Sequence, residues 1–303
     1  MSLFVEHNHT VCDFENANSW VILSPVEQSI KRKIETKGIP LKNWDIKIYR
    51  GVLTGCNEAF IIDSECRNDI LNNCLDEDER KRTDELIRPI LKGKDIKRYY
   101  CKWNDLWLIN IPYGYTDSHR HSIDPEIWFK NNLSSLYLYF KRFLSAGIKT
   151  KGKGLIDRTD QGVYWWELRS CAYLEEFSKP KIIFQEMCTT NTFTYDTQKH
   201  FCLDTGRIIT GKNIKFLLGI LNSSLFFFAV KKYYGGGGLG GEGVRMKHTF
   251  FLDFPCIPYD STIEKYVEHI IQGDDVAFYN NELNKYINKA YNLTDEEIRY
   301  IQL

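Results

Sequence analysis

The residues whose types could do chemistry sit in a few short stretches. GVLTGCNEAFIID, Gly51 to Asp63, sets two glycines, Cys56 and Asn57 ahead of an apolar run. A thiolate nucleophile needs a base, and no histidine stands at a recognisable spacing from Cys56, so this cysteine reads as structural. Gly51 and Gly55 make neither GxGxxG nor GxxxxGK followed by Ser or Thr, so they are expected to permit a turn rather than cradle phosphate. His119 and His121, flanked by Asp117 and Asp124, have the types of metal ligands. Without a third clear ligand they describe a polar loop, and no metal site is assigned.

Two further stretches are cationic. KRFLSAGIKTKGKGLIDR, Lys141 to Arg158, has six basic residues and one acidic. KKYYGGGGLGGEGVRMKH, Lys231 to His248, has four Lys or Arg against one Glu, with seven glycines from Gly235 to Gly243. Such loops let a backbone approach phosphate closely. The whole chain balances 40 basic against 40 acidic residues, which argues against a protein that coats nucleic acid indiscriminately. The charge is uneven, however: Ser261 to Leu303 carries eight acidic and four basic residues, leaving the body mildly basic. NIPYGY at Asn110 resembles the Asn-Pro-Pro-Tyr tetrapeptide with which amino-methyltransferases hold their target amino group. Ile111 replaces the first proline and no FxGxG-like cofactor loop precedes it, so Asn110 reads as the end of a strand and no catalytic residue is assigned.

The elements that must position these residues follow from periodicity. A chain of 303 residues, 43% hydrophobic and 14% aromatic, can bury a sizeable core as one large domain or two smaller ones. DIKIYRGV (Asp45 to Val52) and AFIID (Ala59 to Asp63) read as two strands of a hairpin-like unit joined by LTGCNE. DELIRPILKGKDIKRY (Asp84 to Tyr99) mixes a helical turn with a Pro-Gly break, and DLWLINI (Asp105 to Ile111) and KIIF (Lys181 to Phe184) read as strands. Asp124 as N-cap and Pro125 at the first helical position predict one helix with Leu133, Leu136, Tyr137, Phe140 and Leu144 on its buried face.

The run IKFLLGILNSSLFFFAV, Ile214 to Val230, is interrupted by polar residues and falls short of the roughly 20 apolar residues that span a bilayer, so it predicts a buried helix. After FPCIPYD come two amphipathic helices, marked by Ile263, Tyr266, Val267, Ile270 and Ile271, then by Tyr279, Leu283, Tyr286, Ile287 and Ala290. A third is capped by Thr294 with Glu297. The fold class is α+β with a mixed sheet and a helical C-terminal tail. Nine cysteines without a CxxC pair or a secretory signal point to a reducing compartment, and cytoplasm is expected.

The order of these segments is more specific than any one of them. WVILSPVEQSIKRKIETKGIPLKNWDIKIYRGVLTGCNEAFIID is followed by ELIRPILKGKDIKRY, LWLINIPYGY, FSKPKIIFQEM, FLLGILNSSLFFFAVKKYY, FLDFPCIP and YINKAYNLTDEEIRYI. From about Trp20 onward the chain resembles the TaqI-like C-terminal specificity domain of type IIG restriction-modification enzymes and related adenine-specific DNA methyltransferases. In that family an S-adenosylmethionine-dependent methyltransferase domain, sometimes with a nuclease, lies upstream of a target recognition domain. The resemblance implies three parts: a lead-in over residues 1–43, a DNA target recognition domain over 44–258 and a helical tail over 259–303. It also makes Gly51, Thr54, Gly55, Asn57, Ala59 and Phe60 the family's Gly-x-x-Thr-Gly-x-Asn-x-Ala-Phe signature. The opening MSLFVEHNHT belongs to no obvious element, as in a domain cut from a longer protein; a stand-alone specificity subunit is the alternative.

On this reading the partner is double-stranded DNA, presented to a methyltransferase domain in cis or on another subunit, with no cofactor held by this chain and no membrane. Thr54 and Asn57 would bond backbone or DNA phosphate. Further phosphate contacts would come from Lys92, Lys94, Lys97, Arg98, Lys149, Lys151 and Lys153, and from Lys231 and Lys232 as the glycine loop closes. Base edges would be read by Arg158, Arg169, Arg245 and Lys247, since Arg can grip guanine with two donors. The rival reading is a protein-interaction module whose aromatic surface and tail dock a partner without touching DNA. No nuclease, hydrolase or methyltransferase constellation supports a self-contained enzyme.

Overall fold

The computed structural model describes residues 23–144, 154–234, 238–239, 243–246 and 248–302. The first helix, α1 (Pro25–Lys37), is opened by a reciprocal capping box between Ser24 and Glu27, with Pro25 at the first helical position. Its Ile30 and Ile34 are fully buried. Strand β1 (Ile39–Pro40) follows, then β2 (Ile46–Arg50). A helical turn α2 (Asn57–Phe60) leads directly into β3 (Ile61–Asp63), with α3 (Ser64–Asn72) and α4 (Glu77–Leu86) next. Strands β4 (Ile87–Leu91) and β5 (Leu106–Ile109) precede the short helices α5 (Tyr115–His119), α6 (Pro125–Asn132) and α7 (Ser134–Phe140).

The second half opens with β6 (Lys181–Gln185), β7 (Met187–Cys188), β8 (Phe193–Asp196), β9 (Phe201–Cys202) and β10 (Gly206–Gly211). Two helices follow, α8 (Ile214–Leu221) and α9 (Ser224–Lys232), then β11 (Gly238–Leu239), β12 (Gly243–Arg245), α10 (His248–Phe251) and β13 (Pro255–Cys256). The chain closes with α11 (Ser261–Gln272), α12 (Val276–Ala290) and α13 (Asp295–Gln302).

Two four-stranded sheets organise the molecule, one antiparallel in the order β2-β10-β6-β8 and one mixed in the order β3-β5-β4-β9, in which β4 and β9 run parallel. In β6 and β10 alternate residues enter different cores. Ile182, Phe184 and Ile209 join α1, α8, α9 and the C-terminal helices; Ile183 and Ile208 join the mixed sheet and α6–α7. A strand buried on both faces needs an unbroken apolar run, which is why KIIF lacks polar alternation. Because α1 and the C-terminal helices share one core, a division at residues 43 and 258 cuts through packed side chains. Lys33 and Ser29 both reach Glu297, at 2.7 and 2.8 Å, and β1 pairs with β13.

Several expected elements differ in detail. AFIID does not form a hairpin with β2: Asn57–Phe60 is a helical turn, and β3 pairs with β5 while β2 pairs with β10. The single helix expected after Asp124 breaks at Leu133, whose backbone leaves the helical region at φ −140°, and the buried Glu79 carboxylate accepts the Ser135 N–H at 2.8 Å to restart it as α7. The apolar run from Ile214 is two helices bent by 65°, not one. At the bend the Asn222 amide donates to the Phe193 carbonyl at 2.9 Å and the Ser223 hydroxyl caps α9 by accepting the Phe226 N–H at 3.1 Å. Pro89, expected to interrupt a helix, lies within β4. In the tail, Ile263, Val267, Leu283 and Ile287 are buried as expected, whereas Ile271 is exposed. The Thr294–Glu297 capping box is formed. Among the described residues no helix is long and apolar enough to cross a membrane.

Candidate nucleic-acid interface

The Gly51–Phe60 signature is built as a locked turn. Gly55 takes φ +68°, and a Cβ there would meet Asp160 at 3.1 Å. Gly51 lies so close to the Leu203 carbonyl that a Cβ would fall 2.0 Å from its oxygen. Thr54 is 2% exposed; its hydroxyl donates to Asn57 Oδ1 at 2.6 Å and accepts the Cys56 N–H at 3.2 Å. Thr54 is therefore not free to bind phosphate, because the one proton its hydroxyl can donate is spent inside the turn. Asn57 is exposed. Cys56 is buried and its thiol pKa is pushed up by that burial, the opposite of what a nucleophile needs.

Arg158 is a second correction. It was expected at a base edge, yet only 2% of it is exposed. One nitrogen, Nη1, donates to the carbonyls of Thr54 and, at 2.8 Å, Asp160; Nη2 donates to the carbonyls of Glu167 and, at 3.0 Å, Trp165. The guanidinium carbon lies 4.5 Å from the centre of the Phe60 ring. Burial pulls its pKa down to about 10, which still leaves it charged at neutral pH. Arg158 thus ties the signature turn to the 160–167 segment and cannot read DNA from there. The fully buried Glu167 carboxylate extends the brace, accepting backbone N–H groups from Gly114 at 3.0 Å, Thr116 at 2.9 Å and Val163 at 3.1 Å.

Other expected contacts lie on the surface. Lys94 and Lys97 are exposed and without an ion pair among the described residues, on a loop held by the buried Asp95, which accepts the Lys92 N–H at 2.8 Å; Lys92 itself is half-buried. Arg98 is half-turned inward, donating to the Asn222 carbonyl at 2.5 Å and to Asn280 Oδ1 at 2.7 Å. It nevertheless borders a groove of about 760 Å³ together with Lys231, Lys232, Asn191 and Ser224. Lys231 is exposed and has no ion pair among the described residues, whereas Lys232 meets Glu27 at 2.7 Å. Arg169 is exposed and meets Asp160 at 2.9 Å. Arg245 meets Glu186 at 3.0 Å, and the same carboxylate also binds Arg207. Burial raises the Glu186 pKa, but the two guanidinium groups outweigh it and hold the carboxylate below its ordinary range. Lys149, Lys151, Lys153 and Lys247 lie outside the described residues.

A second cavity was not foreseen. About 370 Å³ in volume, it is bordered by Arg50, Asn110, Tyr113, Arg169 and Tyr173 among others. Sequence offered little signal for it, since Arg50 ends a strand and Tyr113 lies in a loop more than fifty residues away. Among the described residues no group of three or more His, Cys, Asp or Glu is placed to hold a metal ion. His119 instead packs against the Tyr115 ring, with centroids 4.2 Å apart.

Comparison with known proteins matches residues 88–237 to the TaqI-like C-terminal specificity domain. That segment, from β4 to the glycine loop, belongs to this family. In structure the chain is similar to the type IIL restriction-modification enzyme MmeI in complex with DNA, with TM-score 0.58 and 11% identity over 86% of this chain and 35% of that one. It is also similar to the type IIG restriction endonuclease BpuSI, with TM-score 0.44 and 13% identity over 88% of this chain and 32% of that one. At 11% identity the first likeness is one of fold, and the chain spans about a third of the length of either enzyme. A search of curated proteins returns no match. The α+β arrangement is thus that of a restriction-modification specificity domain, which supports a role in DNA recognition.

Proposed function

We propose that this chain recognises a specific sequence in duplex DNA and positions it for adenine-N6 methylation by a separate domain, in cis or on a partner subunit. The observation that carries this reading is the specificity-domain match over residues 88–237. S-adenosylmethionine would be held by the catalytic domain, since this chain has no FxGxG-like loop to receive it. Lys94, Lys97 and Lys231 are exposed and would supply sequence-independent affinity by meeting phosphates. Arg169 and Arg245 are each held by one carboxylate and would serve as base-edge readers, with the carboxylate fixing the guanidinium before DNA arrives.

The test is titration of the chain, alone and fused to its methyltransferase domain, with mixed-sequence duplex at several salt concentrations. Log affinity should fall linearly with log salt, and replacing Lys94, Lys97 and Lys231 together with Ala should flatten the slope by about 2 to 3 units. Absence of salt-dependent binding in both forms would overturn the proposal and favour a protein-docking module.

A further inference from the structure

The cavity bordered by Arg50, Asn110, Tyr113, Arg169 and Tyr173 is more than a surface dent. Asn110 is 7% exposed, and its buried Oδ1 has no hydrogen-bond partner among the described residues. A buried amide oxygen left unpaired is costly unless something pairs with it. Around it stand two aromatic rings, Tyr113, which is 56% exposed, and Tyr173, which stacks on Tyr49 with centroids 4.6 Å apart. Two guanidinium groups complete the rim. Arg50 is only loosely engaged, 3.4 Å from Asp204, and Arg169 has a single carboxylate, Asp160.

An amide offers a donor and an acceptor side by side, which matches the edge of adenine; aromatic rings offer a stacking face; guanidinium groups offer a phosphate clamp. We propose that this cavity binds a nucleotide, its base edge on Asn110 and Arg169, its ring against Tyr113 or Tyr173 and its phosphate on the loosely held Arg50. The volume, about 370 Å³, lies within the range of small-molecule sites. The nucleotide is either free in solution or one unstacked from DNA, and only the second source rests on the DNA-recognition reading.

The experiment measures binding of adenosine monophosphate by titration calorimetry, then its displacement by a duplex carrying one bulged adenosine and by the same duplex fully paired. The bulged base is already unstacked, so the cost of extruding it is removed. Wild-type protein should bind the mononucleotide, Arg169→Ala and Tyr113→Ala should each weaken binding about tenfold or more, and Lys265→Ala, which removes an exposed charge elsewhere, should not. Both test residues are largely exposed, so folding is not at issue. Displacement by the bulged duplex alone assigns the cavity to a DNA nucleotide. Displacement by neither duplex assigns it to a free nucleotide and leaves salt-dependent DNA binding to be judged separately. If neither the mononucleotide nor the bulged duplex binds in a manner that depends on Arg169 and Tyr113, the proposal is wrong.

Discussion

Replacing Arg158 with Ala tests the claim that this arginine is a strut. In the native state its two terminal nitrogens satisfy four backbone carbonyls from Thr54, Asp160, Trp165 and Glu167, in a place where only 2% of the side chain reaches solvent. Each buried acceptor left unpaired costs about 1–3 kcal/mol. The space vacated beside the Phe60 ring admits water to some of the four, so the costs do not simply add. Against the loss stands the desolvation of the guanidinium, which has no carboxylate partner among the described residues and whose depressed pKa records that burial penalty. The balance predicts a loss of about 3–5 kcal/mol, the range seen when a buried charged network loses one member.

Arg158→Lys should recover less than half of this, because an ammonium has three donors on one atom and cannot reach carbonyls that converge on two nitrogens. The assay is equilibrium urea unfolding followed by Trp fluorescence, with Trp165 and Trp166 close to the perturbation, and with a check that the slope of the transition is unchanged. A stability loss under about 1 kcal/mol would refute the structural role and return Arg158 to the DNA face.

Three other outcomes follow from the same packing. Gly51→Ala must push a methyl group into the Leu203 carbonyl and should destabilise by about 3 kcal/mol or more, whereas Gly55→Ala, where φ is +68° and the nearest atom lies at 3.1 Å, should cost about 1–2 kcal/mol in thermal or urea unfolding. Asp196 accepts from the buried Lys181 at 2.5 Å and from His200 at 2.6 Å; burial raises its pKa, but these partners outweigh it and the net shift is downward. Between the folded and unfolded pKa values the unfolded chain therefore binds more protons, so this contribution is complete above about pH 4 and disappears as pH falls through the lower folded value. Asp196→Asn should flatten that acid limb of stability and cost about 3–5 kcal/mol at pH 7, because Lys181 is left buried without its counter-charge; an unchanged acid transition would refute the pairing. Arg245→Ala should leave Glu186 paired with Arg207, so stability should change by less than about 1 kcal/mol while DNA affinity falls either at one base position or uniformly, titrations of cognate and scrambled duplexes telling these apart.

What was legible in the sequence depends on how local the cause is. The capping box at Thr294, the N-cap at Asp124 and, apart from Ile271, the stripes of α11 and α12 are written within a few residues, and they formed as read. The breaks at Leu133 and Asn222 were missed because their stabilising partners are remote: Glu79 caps α7 across 56 residues, and Asn222 answers the Phe193 carbonyl across 29. The false hairpin arose in the same way, since β2 and β3 sit next to each other in sequence but belong to different sheets. For the site, residue type alone could not tell an arginine that faces water from one that threads the interior. Arg158 and Arg169 stand eleven positions apart in comparable polar surroundings, and only the turn that folds Thr54 over Arg158 separates their fates.

That separation bears on how such a domain could discriminate among sequences. An exposed lysine such as Lys94 or Lys97 gains a phosphate and releases a counterion whatever the base pair beside it, so it adds affinity without choice. An arginine already held by a carboxylate gains little from phosphate, because one ion pair is exchanged for another. It gains most where a planar pair of acceptors matches its fork, as guanine N7 and O6 do. Arg169 on Asp160 and Arg245 on the Glu186 carboxylate shared with Arg207 have this character. Asp160 is fixed in turn, since its backbone carbonyl is clamped by Arg158 at 2.8 Å. The buried arginine thus sets the position of the exposed one, so a variant at Arg158 that still folds should blur sequence preference more than it lowers affinity for DNA in general. Equal losses on cognate and scrambled duplexes would show that the two arginines are not coupled.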